Sequence, residues 1–242
     1  MLSTRHTLVY VDDAARKVLL PALLDSLPAP MRYPALEAQV GGIFLKDRIP
    51  GIACRPTGPV PKGGGQLGFS FPIRLEEQRV RAAVAVSVDQ VTAGVTPWEV
   101  MGLAEMLGDT AHPVIPALSA ICDETGCKIG LIGSLAMQVV TGLRYLRPGS
   151  DVDIVVRGKA LDSLMDFHAE LGALSARTGL KIDAEVELSG SIGVKLSELV
   201  SSADQVLGKT ISGVELISRN RLSEIMSPSH GSAKTEREYE NP

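Results

Sequence analysis

Asp151 and Asp153 stand one residue apart in the apolar stretch DVDIVV. Side chains alternate faces along a strand, so both carboxylates point one way while Val152 and Ile154 point the other. Carboxylates at i and i+2 lie about 6 to 7 Å apart. At that spacing they can share a divalent cation. Without one they repel, and one is driven toward its neutral form. Hard oxygen donors suit Mg²⁺ or Mn²⁺. A further strand-like stretch, LKIDAEVELSG, carries Asp183, Glu185 and Glu187 on one face. If it lies beside the first, Asp183 completes the metal set, with Glu185 in reserve.

A second motif suits an anion. KIGLIGS reads as a strand that ends in Gly133–Ser134, and LAMQVVTGL reads as the helix that follows. The first N–H groups of a helix lack intrahelical acceptors and attract phosphate. Gly133 permits close approach to the backbone. Ser134 can cap the helix and offer its hydroxyl. Arg144 and Arg147 precede the aspartates and can meet further phosphate oxygens. Taken singly, each feature has an ordinary reading: a solvated strand face, a helix cap, surface charge. Their order along the chain is what makes them specific.

The elements that must position these residues can be sketched. HTLVYV reads as a strand. DDAARKVLLPALLDSL reads as a helix with Asp12 or Asp13 as N-cap and Val18, Leu19, Leu23 and Leu24 on one face. GIFLKDRIPGIACRP reads as strand and turn. QRVRAAVAVSVDQVTAG alternates like a strand. TPWEVMGLAEML is a helix with Thr96 as N-cap, Pro97 at N1 and Glu99 closing a capping box. A boundary is expected near residues 108–113. VIPALSAICDETGC is a helix, and ALDSLMDFHAELGALSARTG a longer one closed by Gly179. Gly63 to Gly65 do not make a phosphate loop: Lys62 precedes them, no Ser or Thr follows a Gly-Lys pair, and no helix follows. A hairpin tip or lid is the expectation there. The expected organisation is residues 1–110 as a smaller α/β unit for substrate or carrier binding, 111–226 as a catalytic unit, and 227–242 as a polar, disordered tail.

The bulk numbers exclude several classes. A chain of 242 residues with 45% hydrophobic and 21% charged residues can bury a sizeable core. A net charge of −4 argues against a nucleic-acid partner. Three cysteines with no dense pattern suggest free thiols, and His112 and His168 lie outside zinc-site spacing. With no signal-peptide core and no apolar run of about 18 residues, the expectation is a cytoplasmic protein without a membrane partner.

The full order is strand, Gly-Ser, helix, loop, strand with Asp-x-Asp, long helix, strand with acid. It resembles the nucleotidyltransferase superfamily, with its DNA polymerase β-like fold. The stretch VVTGLRYLRPGSDVDIVV is more particular. Its Thr141–Leu143, Leu146–Pro148 and Ser150–Asp153 segments resemble the malonate decarboxylase holo-acyl-carrier-protein synthases, or phosphoribosyl-dephospho-CoA transferases. IDAEVE is similar to that family's later acidic strand. Leu131 and Ile132 depart from the family, which has an aromatic residue and Gly-Pro before the Gly-Ser. In the front half only Gln78 and Arg79 match a family segment.

The resemblance implies an α+β fold, a nucleotidyltransferase core of mixed sheet with flanking helices. It implies transfer of phosphoribosyl-dephospho-CoA from 2′-(5″-triphosphoribosyl)-3′-dephospho-CoA to a serine of the apo acyl carrier protein of malonate decarboxylase, with release of pyrophosphate. Asp151, Asp153 and Asp183 would be catalytic and hold Mg²⁺ or Mn²⁺. Gly133, Ser134, Arg144 and Arg147 would bind substrate. Carriers are usually acidic, so a basic docking patch is expected, with Arg79 and Arg81 as candidates. Two alternatives stay open: a nucleotidyltransferase with another acceptor, such as the citrate lyase carrier, and a non-catalytic nucleotide-binding module.

Overall fold

The structure is a computed structural model and describes residues 2–158, 160–188 and 192–226. The tail expected from residue 227 lies outside the described residues. The chain is α+β, built on two sheets.

The first sheet is wholly antiparallel and has the order β4-β3-β2-β1-β5. Its strands are β1 (Leu8–Val11), β2 (Gly51–Cys54), β3 (Gly65–Leu75), β4 (Gln78–Val86) and β5 (Val91–Val95). QRVRAAVAVSVDQVTAG is thus two strands, separated by a short 3-10 turn at Val88–Gln90. Helix α1 (Asp13–Asp25) starts where Asp12 accepts hydrogen bonds from the amides of Ala14 and Ala15. Leu19 and Leu23 are buried as expected, but Val18 is 74% exposed. Arg16 takes the inward place, with its guanidinium donating to the carbonyls of Val11, Phe44, Arg48 and Ile49. The Phe44 and Ile49 partners exist because GIFLKD is not a strand. It is a π-helical turn, Ile43–Asp47, that continues α2 (Pro34–Gly42).

The second sheet is mixed, with the order β11-β10-β9-β8-β7-β6. Its strands are β6 (Lys128–Leu131), β7 (Val152–Arg157), β8 (Ile182–Leu188), β9 (Ile192–Lys195), β10 (Gln205–Lys209) and β11 (Val214–Ser218). Among the described strands of this sheet only β7 and β8 run parallel, and α6 (Leu161–Thr178) supplies the crossover. Leu164, Phe167, Leu171 and Leu174 form its buried stripe, and Gly179 ends it in the left-handed region. Helices α4 (Ile115–Thr125) and α5 (Gly133–Thr141) flank the sheet, and α7 (Leu196–Leu199) and α8 (Arg219–Met226) follow later.

Helix α3 (Pro97–Leu107) has the expected capping box between Thr96 and Glu99. It precedes the boundary expected at residues 108–113, yet it packs on β6 and α5. Gly130 makes that contact possible, because a Cβ there would lie 2.5 Å from the Pro97 Cβ.

Candidate active-site cleft

The parallel register of β7 and β8 sets Asp153 directly beside Asp183. Asp151 lies just before β7 rather than within it. All three border a depression made of two adjoining parts. Its larger part is a cleft of about 490 Å³ that contains Asp153, Asp183, Gly133 and Ser134. A polar recess adjoins it and shares Ser134 and Asp153, adding Asp151, Arg74 and Arg147. Arg144 is not brought to the cleft. It is exposed and borders a separate depression near Leu107 and Gln138.

The three aspartates have different surroundings. Asp151 is paired with Lys181. Asp183 stands 3.3 Å from the Lys195 Nζ. Asp153 is the interior one, and burial together with the charges of Asp183 and Asp151 pushes its pKa up. Glu185, the reserve metal donor, is committed elsewhere. Arg5 grips it with two hydrogen bonds of 2.7 and 3.0 Å, and His6 approaches at 2.9 Å. Burial opposes its charge, but the hydrogen bonds from His6 and Arg5 outweigh burial and pull its pKa down to about 2.

The Gly-Ser turn is built differently from the sequence expectation. Helix α5 begins at Gly133 with Ile132 as its N-cap, and no side chain caps it. The Ser134 hydroxyl is therefore not a cap and instead accepts a 3.3 Å hydrogen bond from Arg79. Gly133 has φ +66°, and a Cβ there would lie 2.2 Å from the Asp153 Oδ2. Only glycine lets the helix start this close to the carboxylate.

The loop between α5 and β7 docks on the hairpin of β3 and β4. The buried Tyr145 donates its hydroxyl to the Ser70 carbonyl at 2.9 Å. Arg79 stacks on the Tyr145 ring at 5.1 Å and donates to the Tyr145 carbonyl at 2.6 Å. Burial pushes the Tyr145 phenol pKa up. Arg147 pairs with Glu77 across the same junction. Arg79 is therefore an internal strut rather than part of a docking patch, whereas Arg81 is exposed and borders the cleft. His6, Lys195 and Lys209 also line the cleft. None of these three has a local sequence signal, because they come from segments other than those that carry the aspartates.

Among the described residues, no three His, Cys, Asp or Glu side chains stand close enough together to hold a metal ion. The expected three-carboxylate set is thus not preformed. Its chemistry nonetheless fits a hard divalent cation: oxygen donors on and just before adjacent strands, the middle one disfavoured as an anion by burial and by the other two. All three cysteines are free thiols. No helix among the described residues is long and apolar enough to cross a membrane.

These features define an α+β protein with two sheets joined across a charged cleft that has carboxylates at one wall and a helix N-terminus at its edge. Residues 4–97 match the phosphoribosyl-dephospho-CoA transferase MdcG N-terminal domain, and residues 99–220 match the MdcG C-terminal domain. The chain belongs to this family of transferases. It is similar to a phosphoribosyl-dephospho-CoA transferase of Bradyrhizobium diazoefficiens, 27% identical over 90% of this chain and 91% of the relative. A second relative of the same name, from Xanthomonas campestris pv. campestris, is 28% identical over 91% of this chain and 97% of its own length. No solved structure matches the chain.

Proposed function

We propose that the protein moves the phosphoribosyl-dephospho-CoA unit from 2′-(5″-triphosphoribosyl)-3′-dephospho-CoA to a serine of the apo acyl carrier protein of malonate decarboxylase. The observation that carries the chemistry is Asp153: a partly buried carboxylate beside Asp183, pressed against the Gly133 turn in the cleft. In this reading the serine oxygen attacks the phosphorus nearest the ribose. The bond from that phosphorus to the bridging oxygen breaks, and pyrophosphate leaves. Asp183 takes the serine proton. Asp151, Asp153 and Asp183 would hold Mg²⁺ or Mn²⁺, which supplies charge neutralisation at the triphosphate. Ser134 and the first N–H groups of α5 grip phosphate oxygens, and Arg147 steadies the pyrophosphate as it forms. The second unit is then a nucleotidyltransferase core in a cytoplasmic enzyme.

The test mixes the purified chain with the triphosphoribosyl precursor and apo-carriers of malonate decarboxylase and citrate lyase. Intact mass is then read. A gain of one phosphoribosyl-dephospho-CoA on the malonate decarboxylase carrier is the expected result. Gain on the citrate lyase carrier alone overturns the acceptor assignment.

A further inference from the structure

Two of the three cleft aspartates already have a cation, and in both cases it is a lysine. Lys181 pairs with Asp151 from the residue immediately before β8. Lys195 reaches Asp183 from the last position of β9 at 3.3 Å. Both lysines are solvent-accessible at the side chain, 74% and 45%. Long, exposed lysine side chains re-aim at little cost, because such ion pairs hold them weakly. The arrangement contrasts with Glu185, whose partners Arg5 and His6 are 17% and 25% exposed and also reach the backbone of β10 through Arg5. Lys195 lines the cleft itself, as does Lys209.

We propose that Lys181 and Lys195 are exchangeable counterions: each holds an aspartate while the cleft is empty, yields it to a divalent cation, and turns to the substrate's polyphosphate. The inference rests on the metal-assisted transfer reading above. Charge accounting supports it. Three carboxylates with two ammonium groups leave a net single negative charge. A divalent cation added without release of the lysines makes the cluster positive by one, and a polyphosphate then restores balance if the lysines go to it. Substrate and metal are thereby coupled: each is received in the charge state that the other creates. No bond to the protein is formed or broken.

The proposal predicts effects of opposite sign in one variant. Lys195→Gln removes a competitor for Asp183, so Mn²⁺ should bind the full chain roughly twofold to fivefold more tightly. The same change removes a phosphate partner, so KM for the triphosphoribosyl precursor should rise roughly tenfold with a smaller change in kcat. Lys181→Gln should behave alike at Asp151. Lys195→Arg should keep substrate KM close to that of the parent chain. Mn²⁺ affinity is read by electron paramagnetic resonance without substrate, on protein whose melting curve stays cooperative. Tighter Mn²⁺ binding in Lys195→Gln supports the exchange, even if no carrier is ever modified, in which case only the transfer reading falls. Unchanged or weaker Mn²⁺ binding in both Gln variants overturns it, as does a parent chain that binds no Mn²⁺.

Discussion

Glu185 and Asp153 line the same cleft from adjacent strands, yet Glu185 is met by Arg5 and His6 while Asp153 is met by Asp183 and Asp151. The pKa of the first is drawn down to about 2 and that of the second is pushed up. Burial penalises both anions, so the difference comes from their neighbours. Glu185 ties the segment just before β1 to β8. Asp153 is held where its anion is disfavoured, the setting that the metal-assisted reading proposed above would use. The two residues thus separate stability from function within one cleft, and substitutions at each should move the two properties differently.

The largest effect is expected at Asp153. Asp153→Asn should lower transfer to the carrier by roughly 10²- to 10³-fold, the scale seen when one preorganised electrostatic group is removed. It should also raise the melting temperature at neutral pH. The sign follows from linkage. A carboxyl whose folded pKa is raised binds more protons folded than unfolded, so it costs stability as pH climbs through the ordinary 3.8 to the folded value. Asparagine removes that cost. Lower activity together with a lower melting temperature would contradict this account of Asp153.

Glu185→Gln should do the reverse. A fall from the ordinary 4.5 to about 2 corresponds to about 3 kcal/mol of stability at neutral pH. That contribution is present above about pH 4.5 and is lost as pH drops toward 2. Urea melts should therefore show a variant that is less stable at pH 7 and loses less on acidification than the parent chain. Equal losses for both proteins between pH 5 and 3 would remove the ion pair from the explanation. Next in size is Gly133→Ala, expected to cost about 2 kcal/mol through the left-handed φ, and to lower transfer by moving Asp153 away from its new Cβ. A crystal structure of the variant with Asp153 unmoved would sink that reading.

What the sequence revealed follows the same division. Asp153, Asp183 and Gly133 were readable because period-2 alternation and a Gly-Ser break are local signals, and β7 does pair with β8 in the register that joins the acids. His6 was not, because it meets Glu185 from 179 residues away, and the lysines were not, because their meeting with the aspartates depends on which strands lie side by side rather than on a local pattern. Arg16 was missed for another reason. Charge in an amphipathic helix reads as surface, and nothing nearby announces the four carbonyls that receive it. Ser134 was misread as a cap because the helix starts one residue earlier, on a glycine.

The smallest effect tests whether exposure, rather than the identity of an ion pair, separates Glu185 from its neighbours. Glu187 lies two residues along β8 on the same face, and Arg157 meets it at 2.8 Å. The chemistry matches the Arg5–Glu185 pair, but the Arg157 side chain is 51% exposed. Water screens that pair, so its coupling should be only about 0.5 kcal/mol. Arg157 also lies 4.2 Å over the Trp98 ring, which fastens α3 to the end of β7. A flat guanidinium stacks there, whereas an ammonium keeps the charge but loses the stack. Arg157→Lys should therefore cost about 0.5–1 kcal/mol, nearly independent of salt, while a double-mutant cycle of Arg157→Ala with Glu187→Gln should give a smaller coupling that fades at high salt. A coupling as large as the loss at Glu185 would mean that the strand, and not burial of the partners, sets the strength of its ion pairs.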